Sequence, residues 1–260
     1  MHARARSLTV ITSSLVLMAA IWYEGGDTFR HFESSAPSES IGTPAAGSLH
    51  HGKRLPAAGA NFRAYSRLGV LLGRNSVDDR VRDTVVEAYA AVAQEMPETT
   101  YVYGETGWPS GGRFRPHKSH RNGRSVDFIL PALNASGRSV PLPCSPLNLF
   151  CYGLHFDAEG KCGALRLDLP AMAAHLRALA AAASHHGLRI HVVILDDSLR
   201  EILLADPSGR GLDGIVAFST KKPWIKHDQH YHVDFEALSS TTVAVPSLPD
   251  EYSPSKAPKR

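Results

Sequence analysis

The fold is decided by the stretch HDQHYHVDF, residues 227–235, in which polar and apolar side chains alternate. Its last six residues place three polar side chains between three large apolar ones: His230, Tyr231, His232, Val233, Asp234 and Phe235. Successive side chains of a β-strand point to opposite faces, so this alternation predicts a strand with one apolar and one polar face. His230 and His232 share the polar face and lie about 7 Å apart on it.

Two interpretations fit the polar face of this strand. It is either the solvated side of an edge strand or part of a metal site, in which one imidazole binds the ion and the other lies beside a bound water. His227 lies just before the strand and can reach the same edge. Three histidines within six residues, opposite an apolar face, favour the metal site.

A second polar group lies upstream, in the stretch GGRFRPHKSHRNGRSVDF, residues 111–128. His120 precedes Asp127 by seven positions, and Gly123 between them permits a tight turn, so that the loop histidine can face the strand aspartate. Asp127 is a polar exception between two apolar neighbours, and it needs a partner because an unpaired buried charge is costly. One such pair alone is commonly incidental, so the prediction depends on both stretches together.

Together the two stretches supply His120, Asp127 and one strand histidine. Two imidazoles and a carboxylate with an open fourth position form a ligand set typical of catalytic zinc. Zinc lowers the pKa of bound water and polarises a carbonyl, and a further histidine can act as general base or stabilise the oxyanion. The sequence therefore predicts a metal hydrolase. It contains neither the His-Glu-x-x-His motif of common metalloproteases nor the Gly-x-Ser-x-Gly motif of serine hydrolases.

The composition is that of a globular protein and restricts the kinds of site. Of 260 residues, 43% are hydrophobic and 20% are charged, which excludes a wholly disordered chain, a collagen-like repeat and a coiled coil. A formal net charge of +3 argues against a nucleic-acid partner. Three cysteines are too few for a disulfide-built scaffold or a four-cysteine zinc site, whereas 14 histidines allow imidazole ligation.

Residues 1–23 have the pattern of a signal peptide or signal anchor. His2, Arg4 and Arg6 precede an apolar run from Leu8 to Trp22, which suits a signal-peptide core and is short for a membrane span of about 20 residues. A buried helix of the mature domain is the alternative. Export predicts a periplasmic or otherwise extracytoplasmic location, with membrane contact only through a possible N-terminal anchor.

The rest of the chain is predicted as a linker over residues 24–38, one domain over 39–240 and a disordered tail over 241–260. Apolar periodicity predicts helices over residues 78–96 and 168–187, the second capped by Asp168 with Pro170 in its first turn. Strands are predicted at residues 99–103, 125–130, 188–195, 214–218 and 231–235. No βαβ rhythm dominates, so we expect a single α+β domain with a central antiparallel sheet flanked by helices.

The cysteines and the remaining histidines carry weaker predictions. In an oxidising compartment we expect one pair among Cys144, Cys151 and Cys162 to close a loop, and the spacing leaves open which pair. Five other histidines belong to no constellation and are predicted at the surface or at helix ends: His155, His175, His185, His186 and His191.

The two histidine stretches resemble those of the penicillin-insensitive murein endopeptidases, a family grouped with lysostaphin-type peptidases, D-Ala-D-Ala metallopeptidases and hedgehog domains. The first matching segment has Gly111-Gly112-Arg113-Phe114 with His117, His120, Gly123 and Asp127. The second has Pro223-Trp224 with His227, His230 and His232. With a weaker likeness in the lead-in from Ser40 to Gly59, the match spans roughly residues 39–236 and implies a hedgehog- or DD-peptidase-like fold.

The resemblance also implies roles for residues. Zn²⁺ would be bound by His120, Asp127 and His232. His230 would be the catalytic base or transition-state stabiliser, with His227 as a second catalytic histidine beside it. His117 would line the site and contact substrate. Apart from the resemblance, Trp224 and Arg113 are candidates for substrate contact by their residue types. Trp224 either stacks on a muropeptide or seals the sheet edge, and Arg113 either attracts carboxylates or is solvated.

The implied substrate is the D-alanyl to meso-diaminopimelyl cross-bridge of peptidoglycan, hydrolysed by a zinc-dependent murein endopeptidase. The chain departs from the family pattern at Ser125, where an acidic residue is usual, and at Asp234, where a basic residue is common. Neither departure removes an implied ligand. Two other functions fit the same site: a zinc D,D- or L,D-carboxypeptidase acting on peptidoglycan peptides, and a non-catalytic wall-binding domain.

Overall fold

A computed structural model describes residues 27–221 and 225–238 of the chain. The strands, in chain order, are β1 Glu39–Thr43, β2 Ala46–His50, β3 Lys53–Arg54, β4 Phe62–Ala64, β5 Ser76–Val77, β6 Tyr101–Tyr103, β7 Ser125–Ile129, β8 Ala132–Leu133, β9 Ser139–Val140, β10 Lys161–Cys162, β11 Leu165–Leu167, β12 Leu188–Ile194 and β13 His230–Ala237. The α-helices are α1 Arg67–Leu71, α2 Asp79–Glu95, α3 Leu169–His185 and α4 Asp197–Ala205. Short 3₁₀ helices are Asp27–Phe32, Pro146–Asn148, Pro207–Gly209 and Leu212–Gly214.

The central sheet has five strands in the order β12-β13-β7-β6-β4. Three of its four pairings are antiparallel, and the pairing of β4 with β6 is parallel. A parallel pair requires a long crossover, and the chain between these two strands contains α1, β5 and α2. With 30% helix and 26% strand, the chain forms a single α+β domain, as the sequence predicts.

Strand β13 lies inside this sheet, between β12 and β7. Its register with β7 places His232 opposite Asp127, and Asp234 opposite Ser125. His230 and His232 are each 3% exposed. The alternative in which the polar face of this strand is the solvated side of an edge strand is therefore wrong.

Helices α2 and α3 cover the apolar face of the sheet with aromatic side chains. Tyr89 of α2 stacks on His175 of α3 with ring centroids 4.8 Å apart, and both rings contact Phe128 of β7. His175 Nδ1 lies 2.5 Å from the hydroxyl of Tyr231 in β13. The prediction of a surface position for His175 is wrong, because it shares the buried helix face of Met172, Leu176 and Leu179.

Helix α3 begins and ends where the sequence predicts. The Asp168 side chain accepts a hydrogen bond from the Ala171 amide at 3.1 Å, which satisfies one of the free amides of the first turn. Pro170 lies in that turn, where the missing amide hydrogen costs nothing. Gly187 follows the helix with φ +67°, a conformation that favours glycine.

Other parts of the fold differ from the sequence predictions. The prediction of a strand at residues 214–218 is wrong. Gly211 caps a short 3₁₀ helix, Leu212–Gly214, and Phe218 forms an isolated β-bridge with Val193. Helix α4 is an element that the sequence does not predict. It begins at the cap Asp196 and buries Leu199 and Leu203.

The N-terminal part of the described chain packs against the domain. Strands β1 and β2 form a hairpin. Within the predicted linker, the Glu33 side chain accepts a hydrogen bond from the Arg54 amide at 2.6 Å, and the Asp27 side chain accepts one from the Ala57 amide at 3.1 Å.

The disulfide joins Cys144 to Cys151, and Cys162 is a free thiol. One bridge and one remaining thiol are what the sequence predicts, and the structure selects the pair.

Several predictions fall outside the described residues: the signal segment 1–23, the start of the linker, Trp224 and the tail 241–260. Among the helices of residues 27–221 and 225–238, none has the length and apolar character needed to cross a membrane.

The buried His175 predicts a pH dependence of stability. Burial lowers its pKa from 6.5 to about 3. Below pH 6.5 the unfolded chain therefore binds a proton that the folded chain does not, and the free energy of unfolding falls toward pH 3 by up to about 1.4 kcal/mol per pH unit. We expect urea titrations between pH 7 and pH 4 to show a shallower loss for His175→Gln, which keeps a hydrogen-bonding group near Tyr231. Equal slopes for the two chains would contradict this role.

Candidate metal centre

The centre is built on Asp127, which the β7 backbone turns toward the face opposite α2 and α3. Asp127 is fully buried, and His232 Nδ1 from the neighbouring strand lies 2.9 Å from its Oδ1. Burial alone would raise the pKa of Asp127, but the imidazoles around it, including the hydrogen bond from His232, hold it well below its usual range. Asp127 is therefore a carboxylate anion inside the protein, and it requires positive charge or hydrogen-bond donors around it.

His120 reaches Asp127 from the loop before β7. The loop turns sharply, with φ +65° at His120 and φ +76° at Gly123. His120 Nδ1 donates a hydrogen bond to the Thr106 carbonyl at 2.9 Å, and its Nε2 lies 3.2 Å from Asp127 Oδ1. The contact that the spacing of the two residues predicts is present.

His117 approaches the other oxygen of the same carboxylate. Its Nδ1 lies 3.8 Å from Asp127 Oδ2, while its Nε2 lies 2.5 Å from Glu105 Oε2. Burial would raise the pKa of Glu105, but hydrogen bonds from His117 and Arg74 lower it to about 2. Glu105 is thus an anion that fixes the orientation of the His117 ring.

Three imidazoles share one arrangement around Asp127. In each ring, one nitrogen faces Asp127, and the other nitrogen forms a hydrogen bond with an oxygen on the far side of the ring. That oxygen belongs to the Thr106 carbonyl for His120, to Glu105 for His117 and to Asp234 for His232. Histidines that ligate metals almost always have such an outer partner, which fixes the tautomer and leaves the second nitrogen for the ion.

Among the described residues, His117, His120 and Asp127 form a group that could hold a metal ion, with ligand atoms within 4.8 Å of one another. The ligand set implied by the resemblance differs from this group in one member, since it has His232 in place of His117. The structure brings both histidines to Asp127.

The contact between His120 and Asp127 fits a cation. Because His120 Nδ1 donates to a carbonyl, the neutral ring directs the lone pair of Nε2 at a carboxylate oxygen 3.2 Å away. This Nε2 is buried without a hydrogen-bond partner. Burial also lowers the pKa of His120, which disfavours relief by protonation. A metal ion between the two atoms would satisfy both.

His232 is held from two sides by carboxylates. Its Nε2 lies 2.8 Å from Asp234 Oδ1, and Ser125 Oγ donates to the same oxygen at 2.5 Å. Burial would lower the pKa of His232, but Asp234 and Asp127 raise it to about 10. Without a cation it is an imidazolium, so metal binding at Nδ1 would release a proton. The two departures from the family pattern, Ser125 and Asp234, thus contact each other and orient this ring.

His230 and His227 differ from these three histidines. His230 Nε2 lies 3.6 Å from Asp127 Oδ1, but its Nδ1 is buried without a partner. Burial lowers its pKa to about 3. His227 lies beside it, with ring centroids 4.8 Å apart, and donates through Nδ1 to the Ile225 carbonyl. These neutral rings are suited to proton transfer or hydrogen bonding next to the centre rather than to fixed ligation.

Apart from the fully buried His120, the centre forms the floor of a cleft of about 730 Å³. The cleft is lined by His117, Asp127, His227, His230 and His232 from the predicted site. Arg113 is exposed and is not among its described lining residues. Trp224 lies outside the described residues.

Glu105 and Tyr152 belong to the centre but are not among the predicted site residues. The Tyr152 hydroxyl donates to Asp127 Oδ2 at 2.9 Å and accepts a hydrogen bond from the Glu105 amide at 2.9 Å. Neither residue belongs to a periodic pattern or to the two histidine stretches. No local signal in the sequence therefore identifies them.

Comparison with known proteins gives no identification, since no family model and no curated protein matches the chain.

The geometry predicts that His120 is required for metal binding. We expect His120→Ala to weaken zinc affinity by more than about 100-fold, beyond the usual effect of losing an outer partner. Competition with a chromophoric chelator measures this affinity. His191→Ala is the matched control, because His191 is exposed on β12 and pairs with Glu236. Wild-type affinity in the His120 variant would contradict the centre.

Proposed function

We propose that the protein is a zinc-dependent murein endopeptidase that hydrolyses D-alanyl to meso-diaminopimelyl cross-bridges of peptidoglycan. The proposed zinc ligands are His120, Asp127 and His232. The observation that carries the proposal is the buried Asp127 carboxylate, faced by imidazole nitrogens whose rings are each oriented by an oxygen behind them. The order and spacing of the two histidine stretches, which resemble those of the endopeptidase family, supply the reaction and the substrate.

The ligand types and the resemblance both support zinc as the proposed ion. Imidazole and carboxylate suit zinc, and three such protein ligands are typical of catalytic rather than structural sites. When bound, zinc supplies Lewis acidity toward an amide carbonyl and toward water.

The remaining side chains at the floor of the cleft would transfer protons or orient their neighbours. His230 is the proposed base or transition-state stabiliser, because it is neutral and no hydrogen bond fixes its tautomer. His227 has its tautomer fixed by the Ile225 carbonyl, so its Nε2 is an acceptor beside His230. Glu105 keeps the His117 ring aligned along the same floor.

The walls of the cleft fit a peptide that carries both methyl groups and carboxylates. Four of the lining side chains are apolar and exposed by 43% to 68%, namely Leu68, Leu72, Leu149 and Ile225. Lys118 and Lys221 also line the cleft. Apolar walls can pack against alanyl side chains, and ammonium groups attract the free carboxylates of peptide stems.

An extracytoplasmic location belongs to the same proposal. The pattern of residues 1–23 supports it, and so does the disulfide Cys144–Cys151, since such bonds persist mainly in oxidising compartments.

Digestion of purified sacculi tests the function. We expect wild-type protein to convert cross-linked dimeric muropeptides to monomers, and a chelator to abolish this reaction. His230→Ala should keep about one zinc per chain and lose turnover, because it removes a proton-handling group and no proposed ligand.

Mass spectrometry of the products separates the outcomes. Release of terminal D-alanine alone would contradict endopeptidase activity and indicate a carboxypeptidase. Binding to sacculi by zinc-loaded protein without any product would indicate a wall-binding domain.

A second prediction concerns the apolar wall. Leu149 has φ +52°, a conformation that asparagine tolerates, so Leu149→Asn removes apolar surface without straining the backbone. We expect an increase in KM of about tenfold, with zinc affinity unchanged. This is the low end of the usual range for losing one apolar contact, because Leu149 is 68% exposed. Leu147→Asn is the matched control, since Leu147 is 98% exposed in the same loop and is not among the lining residues. Equal KM values in the two variants would exclude this wall from substrate binding.

A further inference from the structure

Tyr152 occupies a special place next to the candidate centre. Its ring lines the cleft, and its hydroxyl is held between the Glu105 amide and Asp127 Oδ2, each 2.9 Å away. The carboxylate oxygen can only accept, so the Tyr152 hydroxyl is the donor of that hydrogen bond.

The two oxygens of Asp127 have different neighbours. Oδ1 faces ring nitrogens of His120, His232 and His230, at 3.2, 2.9 and 3.6 Å respectively. Oδ2 receives the hydrogen bond from Tyr152 and faces His117 Nδ1 at the longer distance of 3.8 Å. A carboxylate can rotate about its last side-chain bond, and the bond from Tyr152 fixes the rotation that directs Oδ1 at the imidazoles.

The surroundings of Tyr152 allow its hydroxyl little movement. Its ring packs edge-on against Tyr65, and its centroid lies 5.1 Å from that of His230. The residue directly follows the disulfide-bonded Cys151, whose amide donates to the Asn148 side chain at 3.0 Å. The hydroxyl is thus attached to a cross-linked loop.

Gly104 leaves the space that the hydroxyl needs. A Cβ at this position would lie 2.5 Å from the Tyr152 hydroxyl oxygen and 3.0 Å from Asp127 Cβ. Its φ is not in the left-handed region, so the requirement for glycine here is steric. A side chain at position 104 would displace the tyrosine from Asp127.

We propose that Tyr152 is a positioning residue that orients Asp127 as a ligand and thereby sets the metal affinity of the centre, and that Gly104 keeps its place open. This proposal rests on the proposed function only in that the centre binds zinc, and it is independent of the bond that is cleaved. Tyr152 acts through Asp127 and is not assigned contact with the reacting atoms.

The test is the zinc affinity of Tyr152→Phe, measured by chelator competition on the full chain. Loss of an outer partner typically weakens metal affinity about 10- to 100-fold, and we expect a decrease in this range with one zinc per chain retained. Tyr101→Phe is the matched control, because it removes a buried phenol hydroxyl that bonds the Ala171 carbonyl in the core, away from the cleft. Thermal unfolding of the metal-free chains shows whether both variants are folded.

Gly104→Ala tests the same idea with the phenol intact. We expect a similar loss of zinc affinity, while Gly214→Ala, where an added Cβ meets no atom within 4 Å, stays at the wild-type value. In the double variant, phenylalanine at position 152 lacks the oxygen that the added methyl group would meet at 2.5 Å, and the contact with Asp127 Cβ at 3.0 Å remains, so the combined loss should be smaller than the sum of the two single losses.

Each outcome bears on the proposal. Wild-type zinc affinity in Tyr152→Phe overturns it, and so do additive losses in the double variant. A wild-type chain that binds no zinc overturns both this inference and the metal centre. A chain that binds zinc, loses affinity in Tyr152→Phe and releases no muropeptide product supports the inference and overturns only the endopeptidase function.

Discussion

The pairing of β13 with β7 is the constraint on which the rest of the structure depends. Its register sets His232 opposite Asp127 and Tyr231 opposite Phe128. The first pair lies at the floor of the cleft and the second under α2 and α3, where their rings stack. One set of backbone hydrogen bonds therefore fixes both the candidate centre and the aromatic core. The loop that carries His117 and His120 adds two imidazoles to a carboxylate whose position is fixed by the sheet.

The buried charges of the centre lower the stability of the fold, because removing them from water costs free energy. Glu105, Asp127 and Asp234 are all anionic, and imidazoles stand between them, His117 between the first two and His232 between the last two. Buried ion pairs of this kind contribute little net stability, because removing charges from water offsets their attraction. The presence of these alternating carboxylates and imidazoles is better explained by a cation that they can hold than by a contribution to the stability of the fold. The apolar packing on the other side of the sheet offsets their cost.

The parts of the fold that follow from backbone periodicity could be predicted from the sequence. Alternation placed His230 and His232 on one face, and the polar exception at Asp127 indicated a buried partner. The 3.6-residue period of apolar residues and the Asp168 cap predict α3. The same period does not predict that His175 is buried, because histidine counts as a polar residue in such a pattern. Its full burial shows that position on the helix outweighs residue type.

Other features depend on contacts that no local pattern records. Glu105 and Tyr152 reach the centre from loops, and neither is part of a repeat or spacing motif. The parallel pairing of β4 with β6 joins strands of three residues, too short to show alternation. The choice of Cys151 as the partner of Cys144 depends on how the loop turns, which the spacing of three cysteines leaves open.

The strict alternation of β13 has a consequence for the folding of new chains. A slip of one residue against β7 would exchange the two faces of the strand, so that imidazoles would enter the aromatic core and tyrosine and valine would enter the cleft. Such a chain would lose its core packing and its metal site together. Chains with the wrong register would therefore unfold readily and be open to proteolysis, rather than accumulate as stable but inactive protein.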